Sequence, residues 1–534
     1  MLVDFNDVQD EAIFDADVCV VGGGVAGITL ARALKETGCE VCLLESGGFD
    51  FDHRTQSLYD GDVVGRTYHP LSESRLRFFG GTTAIWGGRC APLDPIDFVQ
   101  RPGIPDTGWP LTHADLAHYY RRAAEAFELP YRTFDESLWT ELNTDPPKFD
   151  QNRVRTGFWQ FDDAYWRFGI ANSSDLTGAA RVRVVVHANV VEIETDETAG
   201  HVTGLRLASL NGRRGRARAR AYVLACGGIE NARLLLASNR VAKNGLGNDH
   251  DIVGRYFMEH PRARIAKLEL DDPATFWATF RKQFARGGRK LIPVLRLSEH
   301  VQRQAGVLNT AATVKFQRAP MRGVPISQAV YTTLRKHGTP NRAMRRLWRL
   351  YRQGNDALQA WGERPLRRTQ LNRGIGSLYL IARAEQAPNP ESRVLLTRER
   401  DTLDLPKVAL DWQLSEVDGR TLRMLVETMD DELRRLRLGR AHPMDWLAES
   451  DVDWPVDPTI GRHPIGGYHH MGTTRMATDP RRGVVDVDAR VHLVDNLYVA
   501  GSSVFPTSGW ANPTMTIVAL TLRLADSITA ALKP

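Results

Sequence analysis

The sequence is poor in cysteine and has no long unbroken apolar run. Five cysteines among 534 residues are few and odd in number, which argues against a disulfide-stabilised secreted protein. No stretch approaches the roughly 18 consecutive apolar residues that indicate a membrane-spanning helix. The first residues are acidic and lack the basic start and apolar stretch of a secretory signal. These absences predict a reduced protein of the cytoplasm without a transmembrane segment.

Nothing in the sequence indicates a metal site. Cys39 and Cys42 form a C-x-x-C pair near the start of a predicted strand, but there is no second pair and no histidine cluster. A structural zinc ion needs four such ligands, and a redox pair belongs at a helix start after a strand. We therefore expect both cysteines to be structural.

The charge is small overall but uneven along the chain. The net charge of +5 is too low to indicate nucleic-acid binding. Residues 273–374 form a basic insertion with 21 Lys and Arg against three acidic residues, and within it residues 341–361 alternate arginine with apolar residues at helical spacing. Such a helix suits contact with its own chain, with a second subunit or other partner, or with an anionic membrane, and the sequence leaves these open.

Apolar periodicity predicts an α/β chain. Residues 16–48 fit a strand, a glycine turn, a helix and a second strand, and residues 218–238 repeat the strand–turn–helix pattern. A last strand at 496–501 precedes a helix from about Thr514. Because these units lie far apart in sequence, we expect a domain assembled from discontinuous segments.

The first glycine turn carries a dinucleotide fingerprint. Gly22, Gly24 and Gly27 satisfy G-x-G-x-x-G directly after a strand and at the opening of a helix. They allow the tight turn, the close approach of a pyrophosphate and close helix–strand packing, respectively. Glu45 ends the next strand, where a carboxylate accepts hydrogen bonds from a ribose. The pattern predicts dinucleotide binding without separating NAD from FAD.

The chain resembles the glucose-methanol-choline (GMC) oxidoreductases, FAD enzymes that oxidise alcohols, along nearly its whole length. The ordered segments that carry the resemblance are VVGGGVAGITLARAL, FFGGTTAIWGG (78–88), GWPLTHADLAHYY (108–120), LACGGIENARLLLAS (224–238), EQAPNPESRVLLT (385–397) and HHMGTTRM (469–476). The ending SGWANPTMT is most similar to the branch of pyranose oxidases and sugar- and C-glycoside-3-oxidases.

The resemblance implies two domains. A Rossmann-like FAD-binding domain takes residues 1–95, 180–260 and 465–534. A substrate-binding domain with an antiparallel sheet and helices takes residues 96–179 and 261–464, including the basic insertion.

The resemblance also implies which residues hold FAD. Fungal pyranose oxidases attach the flavin through a histidine, and the matching position here is Ile85, so we expect FAD to be bound non-covalently. The expected cofactor residues are Gly22, Gly24, Val25, Ala26, Gly27, Glu45, Gly81, Thr82, Trp86, Gly87, Val190, Gly501, Ser502, Asn512, Pro513 and Thr514.

Two residues of the C-terminal block match the catalytic pair of the family. Oxidising a carbinol requires a neutral base for the hydroxyl proton and a polar group that holds the oxygen. His469, three residues before Gly472, matches the base, and Asn512 matches its partner. Chemistry alone does not separate His469 from its neighbour His470, and an asparagine before proline also suits a turn. We expect His260 to be structural.

The resemblance implies oxidation of a secondary hydroxyl of a sugar or glycoside to a ketone, at C3 of a C- or O-glycoside or at C2 of a pyranose. The hydride passes to flavin N5, and O2 or another acceptor then reoxidises the flavin. Two alternatives keep the same fold. One is a dehydrogenase subunit that passes electrons to a quinone or cytochrome partner, and the other is a non-redox lyase.

Overall fold

The computed structural model describes residues 1–164, 166–318, 339–361, 363–448, 454 and 468–533. In chain order, the strands of this described part are β1 (Leu2–Asp4), β2 (Ala12–Val21), β3 (Val41–Leu44), β4 (Gly61–Val63), β5 (Arg89–Cys90), β6 (Val154–Phe161), β7 (Val182–Val186), β8 (Asn189–Thr195), β9 (Val202–Ala208), β10 (Arg214–Leu224), β11 (Arg262–Leu270), β12 (Gln283–Phe284), β13 (Lys290–Leu297), β14 (Ala311–Arg318), β15 (Gly376–Arg383), β16 (Arg393–Arg400), β17 (Pro406–Asp411), β18 (Gly439–Pro443) and β19 (Leu497–Val499).

The longer helices are α1 (Val25–Lys35), α2 (His113–Ala126), α3 (Gly227–Ala237), α4 (Pro273–Phe280), α5 (Glu299–Ala305), α6 (Arg342–Trp361), α7 (Glu363–Asn372), α8 (Glu416–Arg435) and α9 (Thr514–Leu532). Four-residue helices lie at His53–Gln56, Pro95–Phe98, Leu138–Glu141 and Ser174–Thr177.

The first large sheet has the strand order β1-β7-β3-β2-β10-β9-β8, with β19 paired to β10. Its centre is parallel: β2 pairs with β3 and with β10, and β10 pairs with β19. Strand β3 and the last four residues of β2 are buried, and the crossover helix α1 joins the two strands, as parallel pairing requires. The prediction of an α/β chain with a Rossmann-type unit is confirmed.

The C-terminal helix α9 is long and apolar enough to cross a membrane by length and composition alone. It has no unbroken apolar run, and half of it is buried inside the protein. It packs against α1 and α2, and its buried residues belong to the core under the first sheet. Its apolar composition is therefore that of a core helix.

The second large sheet is antiparallel, in the order β18-β11-β15-β14-β13-β6-β5, with β12 paired to β13. Helix α8 packs against it through Leu422, Leu425 and Met429 in a second apolar core. A three-stranded sheet, β16-β17-β4, lies apart from both.

The strands of the two large sheets alternate along the chain. Every strand of the first sheet falls within the predicted FAD-binding segments. Strands β4 and β5 also lie in those segments, but they pair with β17 and β6 of the predicted substrate domain. The predicted boundary between residues 464 and 465 lies outside the described residues, as does the part of the basic insertion at 319–338. The two-domain division stays a prediction.

A buried ion pair joins the segment after β5 to the end of β15. Arg101 donates to both carboxylate oxygens of Glu385 at 2.7 and 2.5 Å, and the two side chains are 3 % and 0 % exposed. Asn309, after α5, also donates its backbone N–H to Glu385 at 2.6 Å. The carboxylate therefore ties together three separate stretches of chain.

Replacing Arg101 with Met leaves the Glu385 carboxylate buried without its cation, so we expect the free energy of unfolding to fall by about 3–5 kcal/mol. The pair Arg132–Glu125, whose side chains are 63 % and 61 % exposed, provides a matched control. Arg132→Met should cost less than about 1 kcal/mol. Urea unfolding followed by tryptophan fluorescence measures both losses, and equal losses in the two variants would contradict the expectation.

Candidate active site

A cavity of about 1210 Å³ is lined by the carboxyl ends of β2, β3 and β10 and by residues of β5, β6, β11 and β15. The carboxyl edge of a doubly wound sheet is where such folds bind ligands. The volume exceeds the roughly 300–1,000 Å³ of an ordinary small-molecule pocket, which leaves room for a dinucleotide and a substrate together. The predicted site residues that line it are Gly22, Gly24, Val25, Ala26, Glu45, Gly81, Thr82, Trp86, Gly87, Val190, His469, Gly501, Ser502, Asn512, Pro513 and Thr514.

The glycine turn is shaped as the fingerprint predicts. Gly22 has φ +107°, and a Cβ there would lie 2.7 Å from the carbonyl oxygen of Ala225. A Cβ on Gly27 would lie 1.9 Å from the carbonyl oxygen of Gly22, so Gly27 serves close packing and does not line the cavity. At Gly24, the residue before α1, no atom lies within 4 Å of a Cβ position. The N–H groups at the start of α1 thus open onto the cavity, where a pyrophosphate fits.

Glu45 holds the glycine turn in place. Its two carboxylate oxygens accept the backbone N–H groups of Gly23 and Gly47, each at 2.8 Å. Burial raises the pKa of this carboxyl, while the backbone hydrogen bonds oppose the rise. Glu45 lines the cavity as predicted, and its part in fixing the turn was not anticipated from the sequence.

A buried cluster of arginines beside this end of the cavity was also missed by sequence reasoning. Arg75 and Arg77 donate to Glu230 at 2.9 and 3.1 Å, and Arg233 completes the cluster. Although burial alone would raise it, the pKa of Glu230 is lowered to about 2 by these three guanidinium groups. The cluster holds positive charge next to the cavity without leaving Glu230 unpaired.

His469 and Asn512 meet at the other end of the cavity. Asn512 Nδ2 lies 3.3 Å from His469 Nε2, and Asn512 Oδ1 is buried without a hydrogen-bond partner. Asn512 directly precedes Pro513, the N-cap of α9. Asn512, Gly501 and the start of α9 all line the cavity, and a helix N-terminus suits the polar edge of a flavin.

His260 fixes the tautomer of His469. The Nε2 atom of His260 lies 2.7 Å from the carbonyl oxygen of Gly509, and a carbonyl only accepts, so this nitrogen carries the hydrogen. The Nδ1 atom of His260 is then a lone pair, and it accepts from Nδ1 of His469 at 2.8 Å. His469 is left with an unprotonated Nε2 facing Asn512. His260, expected to be structural, therefore contacts the predicted base.

His469 is held neutral by its surroundings. Burial lowers its pKa well below 6.5, and the charges of His260 and Arg383 add to the effect. The backbone N–H of His469 donates to Glu259 at 2.5 Å, which fixes the position of the residue. The result is an imidazole available as a proton acceptor at neutral pH.

His470 has a different environment. Tyr68 donates its hydroxyl hydrogen to Glu259 at 2.7 Å, so the Tyr68 oxygen accepts from Nε2 of His470 at 3.0 Å. That nitrogen therefore carries a hydrogen and cannot take a proton. The geometry favours His469 over His470, as the spacing to Gly472 predicts.

The Gly81–Ile85 turn and the basic helix α6 border the cavity. Arg352 donates to the carbonyl oxygens of Trp86 and Gly87 at 3.0 and 3.1 Å, and Arg345 pairs with Asp50 at 2.9 Å. One face of α6 thus contacts its own chain, which is one of the three possibilities left open by the sequence. The opposite face exposes the apolar residues Leu347, Leu350, Leu358 and Trp361.

Comparison with known proteins agrees with this geometry. Residues 17–244 match the profile of FAD dependent oxidoreductases, and residues 388–521 match that of GMC oxidoreductases. The chain is 24 % identical to 6'''-hydroxyparomomycin C oxidase of Streptomyces lividus, over 96 % of this chain and 91 % of that protein. It is 34 % identical to C-glycoside 3-oxidase of Arthrobacter globiformis over 25 % of this chain and 24 % of that protein.

A fungal aryl-alcohol oxidase shares the fold. The two structures superpose with a TM-score of 0.56 at 15 % sequence identity, covering 98 % of this chain and 100 % of the other. The chain therefore combines an FAD dependent oxidoreductase domain with a GMC oxidoreductase C-terminal domain and is an FAD-dependent oxidoreductase that acts on CH–OH groups.

Proposed function

We propose that this enzyme oxidises a secondary hydroxyl of a sugar or glycoside to a ketone, at C3 of a C- or O-glycoside or at C2 of a pyranose. The observation that carries the proposal is the neutral His469 whose free Nε2 lies 3.3 Å from Asn512 Nδ2 at the cavity wall. The names of the two relatives, an aminoglycoside oxidase and a glycoside oxidase, support a sugar.

The chain supplies the proton chemistry. The substrate hydroxyl lies between the two polar groups, so that His469 Nε2 accepts its proton while the Asn512 amide holds its oxygen. His260 keeps the hydrogen of His469 on Nδ1, away from the substrate.

FAD is held without a covalent bond. The start of α1 would hold the pyrophosphate, Glu45 and Val190 would hold the adenosine part, and the start of α9 would hold the flavin; all of these residues line the cavity. When bound, FAD supplies the acceptor of the hydride that leaves the carbinol carbon. O2 or another acceptor then takes the electrons from the reduced flavin.

Two further points belong to the proposal. The exposed face of α6 is the contact surface for a second subunit or another partner. The protein works in the cytoplasm.

Removing the side chain of the base should stop flavin reduction without changing the binding of FAD. We expect His469→Ala to slow anaerobic bleaching of the flavin by a reactive glycoside at least about 100-fold, because no other group takes the proton. FAD content, measured from the visible spectrum, should stay near wild type. His118→Ala, on the exposed face of α2, is the matched control and should bleach normally. Unimpaired bleaching in His469→Ala would refute the base assignment.

The pH profile should reflect the depressed pKa of His469. A base whose pKa lies well below 6.5 stays neutral as the pH falls through 6.5, and its activity is lost only at more acidic pH. We expect the rate of flavin reduction at saturating substrate to be flat between about pH 6 and about pH 8. Stopped-flow reduction measures it, and a loss centred near pH 6.5 would contradict the prediction.

The mode of FAD attachment has a direct test. Because Ile85 stands where a covalent link would form, acid precipitation of the holoenzyme should release all the yellow colour into the supernatant. The absorbance of supernatant and washed pellet gives the two fractions. A yellow pellet that survives washing would show a covalent link through another residue.

A further inference from the structure

Arg383 is a buried cation without a partner in the part of the chain that the structure describes. It ends β15, lines the cavity and is 8 % exposed. Its Nη1 atom is buried with no hydrogen-bond partner, and its guanidinium carbon lies 5.5 Å from the ring centre of Trp159. A stacked aromatic ring offers a guanidinium far less than a carboxylate does.

The other buried arginines of the described chain have oxygen partners. Arg101 binds Glu385, Arg75 binds Glu230, and Arg233 binds Asp401 at 2.7 Å. Arg475 donates to the carbonyl oxygen of Asp106 at 2.7 Å. Each of these four buried arginines thus has an oxygen partner, as the cost of removing a cation from water requires.

The cation next to Arg383 makes its position more costly. Arg262 stands directly opposite Arg383 in the pairing of β11 with β15, where side chains lie roughly 5 Å apart at Cβ. Both arginines line the cavity, and Arg89 lines it too. Like charges directly opposite each other weaken a sheet.

The carboxylate whose charge acts on Arg383 already has other hydrogen-bond partners. Glu259 accepts the hydroxyl of Tyr68 and the backbone N–H groups of His260 and His469. Burial, followed by the charges of Arg262 and Arg89, lowers the pKa of Arg383 well below its usual value, and Glu259 only partly opposes this. Arg383 lines the same cavity as the predicted base His469, and its charge helps to lower the pKa of His469.

We propose that the substrate carries an anionic group, a carboxylate or phosphate, which Arg383 binds beside His469. The inference rests on the proposed function and narrows it to an acidic sugar or acidic glycoside. An oxyanion accepts two parallel N–H groups from one guanidinium, and it supplies a counter-charge that the described residues do not. The substrate would thus form an ion pair with an arginine that has no oxygen partner among those residues.

Matched pairs of sugars test the proposal on the holoenzyme. We expect methyl glucuronide or glucose 6-phosphate to reduce the flavin anaerobically with a kcat/KM at least about 30-fold above that of methyl glucoside or glucose. The two acidic sugars distinguish a carboxylate from a phosphate. In Arg383→Met the preference should fall to near one, whereas Arg383→Lys should keep part of it. Arg132→Met, far more exposed, should keep all of it.

Equal kcat/KM for acidic and neutral sugars in the wild-type enzyme would overturn the inference, as would a preference that Arg383→Met leaves unchanged. The visible spectrum reports FAD content in each variant, and Arg383→Lys serves if Arg383→Met does not fold.

The proposed function can fail separately. If no sugar bleaches the flavin, binding alone decides: titration with glucuronate and with inorganic phosphate, followed by the shift of the flavin band, should give a Kd that rises at least about 30-fold in Arg383→Met. That result would contradict the proposed sugar oxidation and support the anion-binding site at Arg383. No shift, or a Kd independent of Arg383, would overturn the site.

Discussion

The hydrogen bond between the Nδ1 atoms of His260 and His469 determines what the cavity can do. It forms only if one ring donates and the other accepts, and the carbonyl of Gly509 fixes which. Everything on the substrate side depends on that choice, because it leaves His469 Nε2 free to accept a proton. Glu259 accepts the backbone N–H groups of both His260 and His469. A single buried carboxylate therefore fixes the positions of the two residues relative to each other.

The fold brings these groups together from distant segments. His260 lies just before β11 of the antiparallel sheet, while His469 and Asn512 flank β19 of the parallel sheet. The cavity is lined by strands of both sheets, so neither sheet carries the chemistry alone. The buried pair of Arg101 and Glu385 also connects distant segments. It fixes the end of β15, where Arg383 lies, against the segment after β5.

Local signals predicted the local parts of the site. The glycine turn and Glu45 belong to one strand–helix–strand unit, and their spacing alone places them at one edge of the sheet. His469 and Asn512 were assigned by resemblance, and the structure brings them to 3.3 Å. The roles of His260 and Arg383 arise from strand pairing and from contacts across long stretches of chain, which periodicity does not reveal. The one available signal was the His–Pro step directly before β11.

Some of the cations of the basic insertion are neutralised by ion pairs within the protein. Within the insertion, Lys282 pairs with Asp356 at 2.7 Å and Arg345 pairs with Asp50 at 2.9 Å. These two cations are neutralised by their partners, so they contribute less to the field around the cavity than the composition suggests. Arg383 is a buried arginine for which the described chain supplies no oxygen partner, and it lines the cavity. Selection by charge therefore belongs to the interior, where low dielectric strengthens it, more than to the entrance, where solvent and salt screen it.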